Sequence, residues 1–167
     1  MIIFITGGER SGKSRHAQEL ALELTDRPYY LATSRIWDDD FEKRVARHKQ
    51  ERDHRWTNIE EPLGIAAALP DDGVVVFDCI TLWLTNYFSK YKGDKDTIVE
   101  EAKRELLNCK TFKGTLIIIS NELGMGLHAD TKTGRDFVEC QGWINQFIAS
   151  YADEVLFMVS GLPLKVK

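Results

Sequence analysis

The first residues with a recognisable chemical pattern are Gly7–Ser14, which run Gly-Gly-Glu-Arg-Ser-Gly-Lys-Ser. They match G-x-x-x-x-G-K-[ST], the pattern of a phosphate-binding loop. Its glycines let successive backbone N–H groups turn toward a phosphate, and its lysine brings a positive charge to the terminal phosphates. The Ser14 hydroxyl is placed to ligate Mg²⁺. The pattern predicts a nucleoside-triphosphate site made of Gly7, Gly8, Glu9, Arg10, Ser11, Gly12, Lys13 and Ser14. The alternative is a glycine-rich turn with an exposed lysine.

A second acidic group, which such a site needs, stands at the end of the apolar run Val74–Asp78. A carboxylate in this place holds or orients the metal ion in phosphate-loop enzymes. Open α/β sheets also bind their ligands along the C-terminal ends of the strands. We therefore assign Asp78, together with Ser14, to Mg²⁺. The alternative is an aspartate that caps the helix expected from about Thr81.

The segment Glu42–Arg55 is strongly basic, although the whole chain carries a formal net charge of −4. On a helix, Arg44, His48 and Arg52 would share one face because they are spaced four residues apart. A neutral imidazole between guanidinium groups is a competent nucleophile toward phosphorus, and the cations would offset charge developing on the phosphoryl oxygens. The alternative is a solvated helix surface with an incidental histidine. Composition does not choose between these two interpretations.

Short apolar segments alternate with amphipathic ones and predict the elements that must position these groups. Strands are predicted at Ile2–Thr6, Tyr29–Ala32, Val74–Asp78, Leu116–Ser120 and Val155–Val159. Helices are predicted at Lys13–Leu24, Phe41–Arg52, Leu63–Leu69, Thr81–Phe88, Ile98–Cys109 and Asp136–Tyr151. Continuous apolar strands indicate a sheet covered on both faces, and helices between strands indicate parallel connections. The predicted fold class is α/β, a three-layer sandwich with a mostly parallel sheet.

Length and composition narrow the class of protein. The 167 residues fit one domain over 1–167, with 43% hydrophobic and 29% charged residues. The acidic balance argues against nucleic acid as a partner. The apolar runs are far shorter than the roughly 20 residues of a membrane span, and we expect no signal peptide. Three cysteines without a CxxC pair argue against disulfides or a zinc knuckle and favour a cytoplasmic location. We expect Cys79 to be a small buried residue.

Several separated segments carry a joint pattern beyond the phosphate-binding loop. They are Thr6–Arg15, Leu31–Ser34, Arg44–Lys49 with Arg52, Asp78–Asn86, Asn121–Gly126, Ala152–Val155 and Ser160–Lys165. In this combination they resemble the bifunctional adenosylcobinamide kinase / adenosylcobinamide-phosphate guanylyltransferase family of cobalamin nucleotide-loop assembly. The matching segments run in order from the first strand to the last residues. The resemblance therefore covers essentially the whole chain.

The resemblance implies a RecA-like P-loop fold, a homotrimer, and the use of GTP, ATP and Mg²⁺. Adenosylcobinamide and adenosylcobinamide phosphate would be the substrates. The first would receive the γ-phosphoryl group of ATP or GTP. A histidine would then take GMP from GTP and pass it to the second. His48 matches the guanylylated histidine of the family. The positions that match its nucleotide contacts are Gly7–Ser14, Ala32, Thr33, Ser34, Lys49, Gln50, Glu51, Arg52, Glu60 and Asp78.

The sequence departs from the family after Gly126, where Leu127-His128-Ala129-Asp130-Thr131 replaces the usual Val-Pro-Glu-Asn stretch. We expect this loop to bear on the corrinoid substrate, so corrinoid preference and kinase efficiency stay open. Two other functions also stay open at this point. One is a P-loop kinase for another small hydroxyl compound, in which His48 is structural. The other is a regulatory module that binds nucleotide without turnover.

Overall fold

The computed structural model describes residues 1–34 and 52–167. Its strands are β1 (Ile2–Gly7), β2 (Tyr29–Ala32), β3 (Thr57–Glu60), β4 (Val74–Asp78), β5 (Thr115–Asn121), β6 (Glu154–Val159) and β7 (Leu162–Lys165). Its helices are α1 (Lys13–Leu24), α2 (Ile65–Ala68), α3 (Ile80–Lys90), α4 (Lys95–Cys109) and α5 (Lys132–Tyr151). Within these ranges no helix is long and apolar enough to cross a membrane.

The described strands form one sheet in the order β3-β2-β4-β5-β1-β6-β7. Neighbouring strands are parallel except for β6 and β7, which form an antiparallel hairpin. Strand β5 lies between β1 and β4, so the C-terminal ends of these three strands meet at one edge. The phosphate-binding loop begins at that edge, where β1 ends, and Asp78 is the last residue of β4 at the same edge. The predicted α/β class with a mostly parallel sheet is confirmed.

Hydrophobic side chains alternate between the two faces of the sheet and form a core on each. On one face, Ile5, Val76 and Ile119 pack with Ala17 and Ala21 of α1. On the other face, the cluster joins strand residues to helices α3, α4 and α5 and includes Phe4, Phe77, Ile118, Trp83, Ile98 and Ile144. The fold therefore has three layers, with α1 on one face of the sheet and α3, α4 and α5 on the other.

Several element boundaries differ from the prediction. Strands β3 and β7 were not predicted, and both are short edge strands with mostly exposed side chains. Helix α4 begins three residues before the predicted Ile98, and α5 begins four residues before the predicted Asp136. The Thr131 hydroxyl caps α5 by accepting a hydrogen bond of 3.0 Å from the N–H of Gly134. The predicted helix Phe41–Arg52 lies outside the described residues except for Arg52.

Candidate nucleotide-binding site

The phosphate-binding loop connects the end of β1 to the start of α1. Gly12 is the N-cap of α1 with a φ of 95°, a conformation that residues with a Cβ rarely adopt. A Cβ on Gly7 would lie 2.7 Å from the carbonyl oxygen of Met158. The first N–H groups of α1 have no acceptor inside the helix and carry its positive dipole end, an arrangement that suits a phosphate.

Lys13 is buried at this helix end, with 7% of its surface exposed. Its ammonium group donates a hydrogen bond of 2.6 Å to the carbonyl oxygen of Gly8, so the side chain folds over the loop. Burial lowers the pKa of Lys13, and the negative charges of Glu9 and Asp78 oppose that shift. A buried lysine does not fit the alternative of an exposed lysine on a glycine turn. It fits a cation held ready for a ligand's negative charge.

Two neighbouring segments hold the loop in place. The N–H of Gly161, in the turn between β6 and β7, donates a hydrogen bond of 2.9 Å to the carbonyl oxygen of Ser11. The N–H of Glu122, just beyond β5, donates one of 2.9 Å to the carbonyl oxygen of Gly7. Both contacts join the loop to distant parts of the chain. The role of Gly161 was missed in the sequence analysis, although its segment belongs to the family-like pattern.

Asp78 ends β4 on the same face of the sheet as α1, because Val74 and Val76 of that strand pack in the α1 core. Its Oδ2 accepts a hydrogen bond of 2.6 Å from the hydroxyl of Tyr30. Burial raises the pKa of Tyr30, and the adjacent Asp78 raises it further. The N-cap of α3 is Cys79, so Asp78 does not cap that helix. Its carboxylate instead belongs to the edge where the phosphate-binding loop lies.

Arg52 contributes a second buried cation. It is 8% exposed, its Cζ lies 3.7 Å from the centroid of the Tyr30 ring, and its Nε donates 3.0 Å to Oδ1 of Asn58. Within the described residues its Nη1 is buried and has no hydrogen-bond acceptor. A buried N–H without an acceptor is costly, and an anionic or carbonyl group of a ligand would satisfy it.

Of the other predicted contacts, those in or next to β2 and β3 are described by the structure, and those in the basic segment are not. Ala32 and Glu60 are neighbours in register at the ends of β2 and β3, on the same edge of the sheet as Asp78. Thr33 is fully buried, and its hydroxyl donates 3.0 Å to the carbonyl oxygen of Cys79. Ser34 follows it and is partly buried. The hydroxyl of Thr33 therefore ties the β2 end to the β4 end. His48, Lys49, Gln50 and Glu51 lie outside the described residues.

A buried polar network fixes the end of β5 between the loop and Asp78. Gln141 Nε2 donates 2.6 Å to the hydroxyl of Ser120, which donates 2.6 Å to Oδ1 of Asn145. Asn145 Nδ2 in turn donates 3.1 Å to the carbonyl oxygen of Asn121, whose N–H donates 3.1 Å to the hydroxyl of Thr81. The backbone of Asn121 is thereby held on two sides. The chain leaves the edge from this fixed point.

The loop that follows β5 is open to solvent and lines a cleft of about 350 Å³ with the start of α5. Met125 and Leu127 are 78% and 98% exposed. The guanidinium of Arg135 donates hydrogen bonds to the carbonyl oxygens of Ala129 and Asp130 and so braces the far end of the loop. Exposed apolar side chains on this loop offer contact area to a large, partly apolar substrate.

Comparison with known proteins agrees with this arrangement. The chain matches the profile of the family described as cobinamide kinase / cobinamide phosphate guanyltransferase over residues 3–166. The bifunctional adenosylcobalamin biosynthesis protein CobU of Escherichia coli is 34% identical over 183 residues, which span all of both chains. The protein CobP of Pseudomonas aeruginosa, with the same descriptive name, is 37% identical over 168 residues, or 98% of this chain and 95% of its own.

A solved structure, the flagellar accessory protein FlaH from Methanocaldococcus jannaschii, is similar over 99% of this chain and 77% of its own. Its TM-score of 0.48 and its sequence identity of 16% are too low to bear on function. The relationship therefore rests on sequence along the whole chain and on the phosphate-binding loop at its start. The chain belongs to the cobinamide kinase / cobinamide phosphate guanyltransferase family, whose members are transferases.

Proposed function

We propose that this protein carries out both reactions of its family, with GTP and ATP as nucleotides and Mg²⁺ as the metal. It phosphorylates adenosylcobinamide and then converts adenosylcobinamide phosphate to adenosylcobinamide-GDP. The observation that carries the proposal is the family match over residues 3–166, which includes the complete phosphate-binding loop. We propose that residues 1–167 act as one domain in both steps.

In the kinase step, the oxygen of the substrate hydroxyl bonds to the γ-phosphorus of the nucleotide. The bond from that phosphorus to the β–γ bridging oxygen breaks, the nucleoside diphosphate leaves, and the hydroxyl proton passes to solvent. The loop amides from Gly7 to Ser14 and the ammonium of Lys13 hold the phosphates in this account. Lys13 is already buried beside the loop, so it offsets the negative charge without a large rearrangement.

In the guanylyltransferase step, a ring nitrogen of His48 bonds to the α-phosphorus of GTP. The bond to the α–β bridging oxygen breaks, pyrophosphate leaves, and the ring proton passes to solvent. An oxygen of the substrate phosphate then bonds to the same phosphorus and releases the histidine, which regains a proton. Two displacements at one phosphorus replace a single more difficult one. Arg52 would donate a hydrogen bond to a phosphate oxygen in this step, because its buried Nη1 has no acceptor in the described parts of the chain.

The residues at the sheet edge fit a magnesium nucleotide. Ser14 and Asp78 would hold the ion, which would supply charge neutralisation at the phosphate oxygens. Gly12 has a φ of 95°, and a Cβ on Gly7 would lie 2.7 Å from the carbonyl oxygen of Met158, so the shape of the loop requires glycine at both positions. Ala32, Thr33, Ser34, Glu60 and the segment Lys49–Arg52 would complete the contacts to the nucleotide.

We assign the corrinoid to the loop after β5, where Met125 and Leu127 are exposed and which begins at Glu122, bonded to Gly7 of the phosphate-binding loop. The loop's own sequence departs from the family pattern, which makes it the natural place for a change in corrinoid preference. The homotrimer and the cytoplasmic location expected from the sequence remain predictions. Gel filtration with light scattering tests the first of these directly.

The proposal is tested by following both products from one preparation of the full chain. With GTP and Mg²⁺, adenosylcobinamide should yield its phosphate, and adenosylcobinamide phosphate should yield adenosylcobinamide-GDP with one pyrophosphate released. A His48→Asn variant should lose the second reaction and keep the first. A protein that phosphorylates neither corrinoid but accepts another small alcohol would be a different kinase. One that binds GTP and releases no pyrophosphate with either corrinoid would be a binding module.

A further inference from the structure

Tyr30 makes two contacts that join separate parts of the candidate site. Its hydroxyl donates 2.6 Å to Oδ2 of Asp78, and its ring lies 3.7 Å from the Cζ of Arg52. Asp78 stands at the end of β4, and Arg52 ends the stretch Lys49–Arg52 that the family resemblance assigns to nucleotide binding. The Tyr30 side chain therefore touches both Asp78, the carboxylate assigned to the metal, and the guanidinium of Arg52.

The strand register explains why Tyr30 reaches Asp78. Tyr30 of β2 lies beside Val76 of β4, and Ala32 lies beside Asp78. The phenol ring runs along the sheet toward the C-terminal edge and covers the distance of two residues. A shorter or apolar side chain at position 30 would leave this oxygen of Asp78 without its donor.

The ring itself is held firmly. Tyr30 is 5% exposed, and Trp56 packs against it with ring centroids 5.9 Å apart and planes inclined by 79°. A donor fixed on a buried ring restricts the rotation of the carboxylate that it contacts.

We propose that Tyr30 is a positioning residue of the nucleotide site, whose hydroxyl orients Asp78 toward the metal side and whose ring holds Arg52 toward the nucleotide. This inference rests on the proposed function only in its use of a magnesium nucleotide. The two contacts are separable. Tyr30→Phe removes the hydroxyl and keeps the ring under Arg52, whereas Tyr30→Leu removes both.

The test measures binding of a fluorescent GTP analogue to the full chain as Mg²⁺ is titrated. Tyr30→Phe should raise the Mg²⁺ concentration needed for half-maximal binding about tenfold, the lower end of the usual loss when a partner of a metal ligand is removed. Its nucleotide binding without Mg²⁺ should equal that of the unaltered protein. Tyr30→Leu should weaken binding in both conditions, because Arg52 loses its support.

Tyr29→Phe is the matched control, since Tyr29 is the preceding residue of the same strand and packs against the opposite core. It should leave the Mg²⁺ requirement unchanged. Asp78→Asn gives a second check, because the hydroxyl acts through that carboxylate. Tyr30→Phe should therefore have little further effect on the Mg²⁺ requirement in an Asp78→Asn background, and thermal unfolding shows that each variant is folded.

An unchanged Mg²⁺ requirement in a folded Tyr30→Phe variant would overturn the inference, and so would equal effects with and without the Asp78→Asn change. Neither result would touch the proposed function, because the unaltered protein would still bind GTP and can still turn over. Failure of the unaltered protein to bind the GTP analogue at any Mg²⁺ concentration would refute the proposed function itself, together with this inference.

Discussion

The N–H of Gly161 donates a hydrogen bond of 2.9 Å to the carbonyl oxygen of Ser11, which attaches the C-terminal hairpin to the phosphate-binding loop. The next loop residue, Gly12, has a φ of 95°, and a Cβ placed on it would lie 3.1 Å from the Cα of Gly161. The loop conformation thus depends on a glycine at position 12 and on the turn that packs against it.

Gly12→Ala should weaken GTP binding at least tenfold and lower the free energy of unfolding by about 1–3 kcal/mol, the usual cost of an unfavourable backbone conformation. Gly142→Ala is the control, because a Cβ there meets no atom within 4 Å on helix α5. It should stabilise the protein by up to about 1 kcal/mol and leave GTP binding unchanged. Denaturant titration and nucleotide titration measure the two effects. Normal binding by Gly12→Ala would show that the loop tolerates another shape.

Trp83 should be a main support of the core behind Asp78. It is fully buried, its Nε1 donates 2.9 Å to the carbonyl oxygen of Leu63, and its ring meets the edges of Phe77 and Tyr87. Trp83→Phe removes the donor and leaves space, so we expect a loss of about 2–4 kcal/mol in the free energy of unfolding. Trp143→Phe, at a side chain that is 38% exposed, should change it by less than about 0.5 kcal/mol. Similar losses in the two variants would contradict the described packing.

The three cysteines should be unreactive in the folded protein. All are buried as free thiols, and burial raises the pKa to about 12 for Cys79 and Cys109 and to about 11 for Cys140. At pH 8 the folded thiols stay protonated, while thiols of the unfolded chain, with a pKa near 8.5, are partly ionised. A disulfide reagent should label almost none in the native protein and three in denaturant. Rapid native labelling at pH 8 would show that a thiol is accessible.

The same shifts set a pH dependence of stability. A thiol with a raised folded pKa holds its proton where the unfolded chain has lost it, so its contribution is complete below about pH 8.5. As the pH rises from that value toward 11 and 12, where Cys140, Cys79 and Cys109 titrate in the folded chain, stability should fall. Thermal unfolding at pH 7, 8.5 and 10 measures this. A melting temperature that rises over that range would contradict the burial of these groups.

The central strands follow from the sequence because their apolar runs are continuous. Strands β2 and β4 have the predicted bounds, and the strand predicted at Ile2–Thr6 extends by one residue to Gly7. Strand β7 was not predicted because it contains Pro163 and its apolar side chains are exposed, Leu162 to 72% and Leu164 to 58%. An edge strand buries too little surface to show a hydrophobic pattern. The two-residue turn at Ser160-Gly161 was the available signal for a hairpin.

The candidate site is predictable where one local pattern defines it and not where distant residues meet. The phosphate-binding loop is complete within Gly7–Ser14, and Asp78 follows from its place at a strand end. The bond from Tyr30 to Asp78 joins residues 48 positions apart and depends on the register of β2 and β4. The same holds for Thr33, which the sequence predicts to contact the nucleotide. Its hydroxyl donates a hydrogen bond to the carbonyl oxygen of Cys79, 46 positions along the chain.

Mass spectrometry of the protein after incubation with GTP and Mg²⁺ alone tests whether His48 carries GMP during the reaction. One guanylyl group is expected on the peptide that contains His48. It should be absent from the His48→Asn variant and retained in His54→Asn, which changes an exposed histidine of the same basic segment. Addition of adenosylcobinamide phosphate should remove it as adenosylcobinamide-GDP forms. A protein that makes this product while carrying no such group, or carrying it at another residue, would contradict the account.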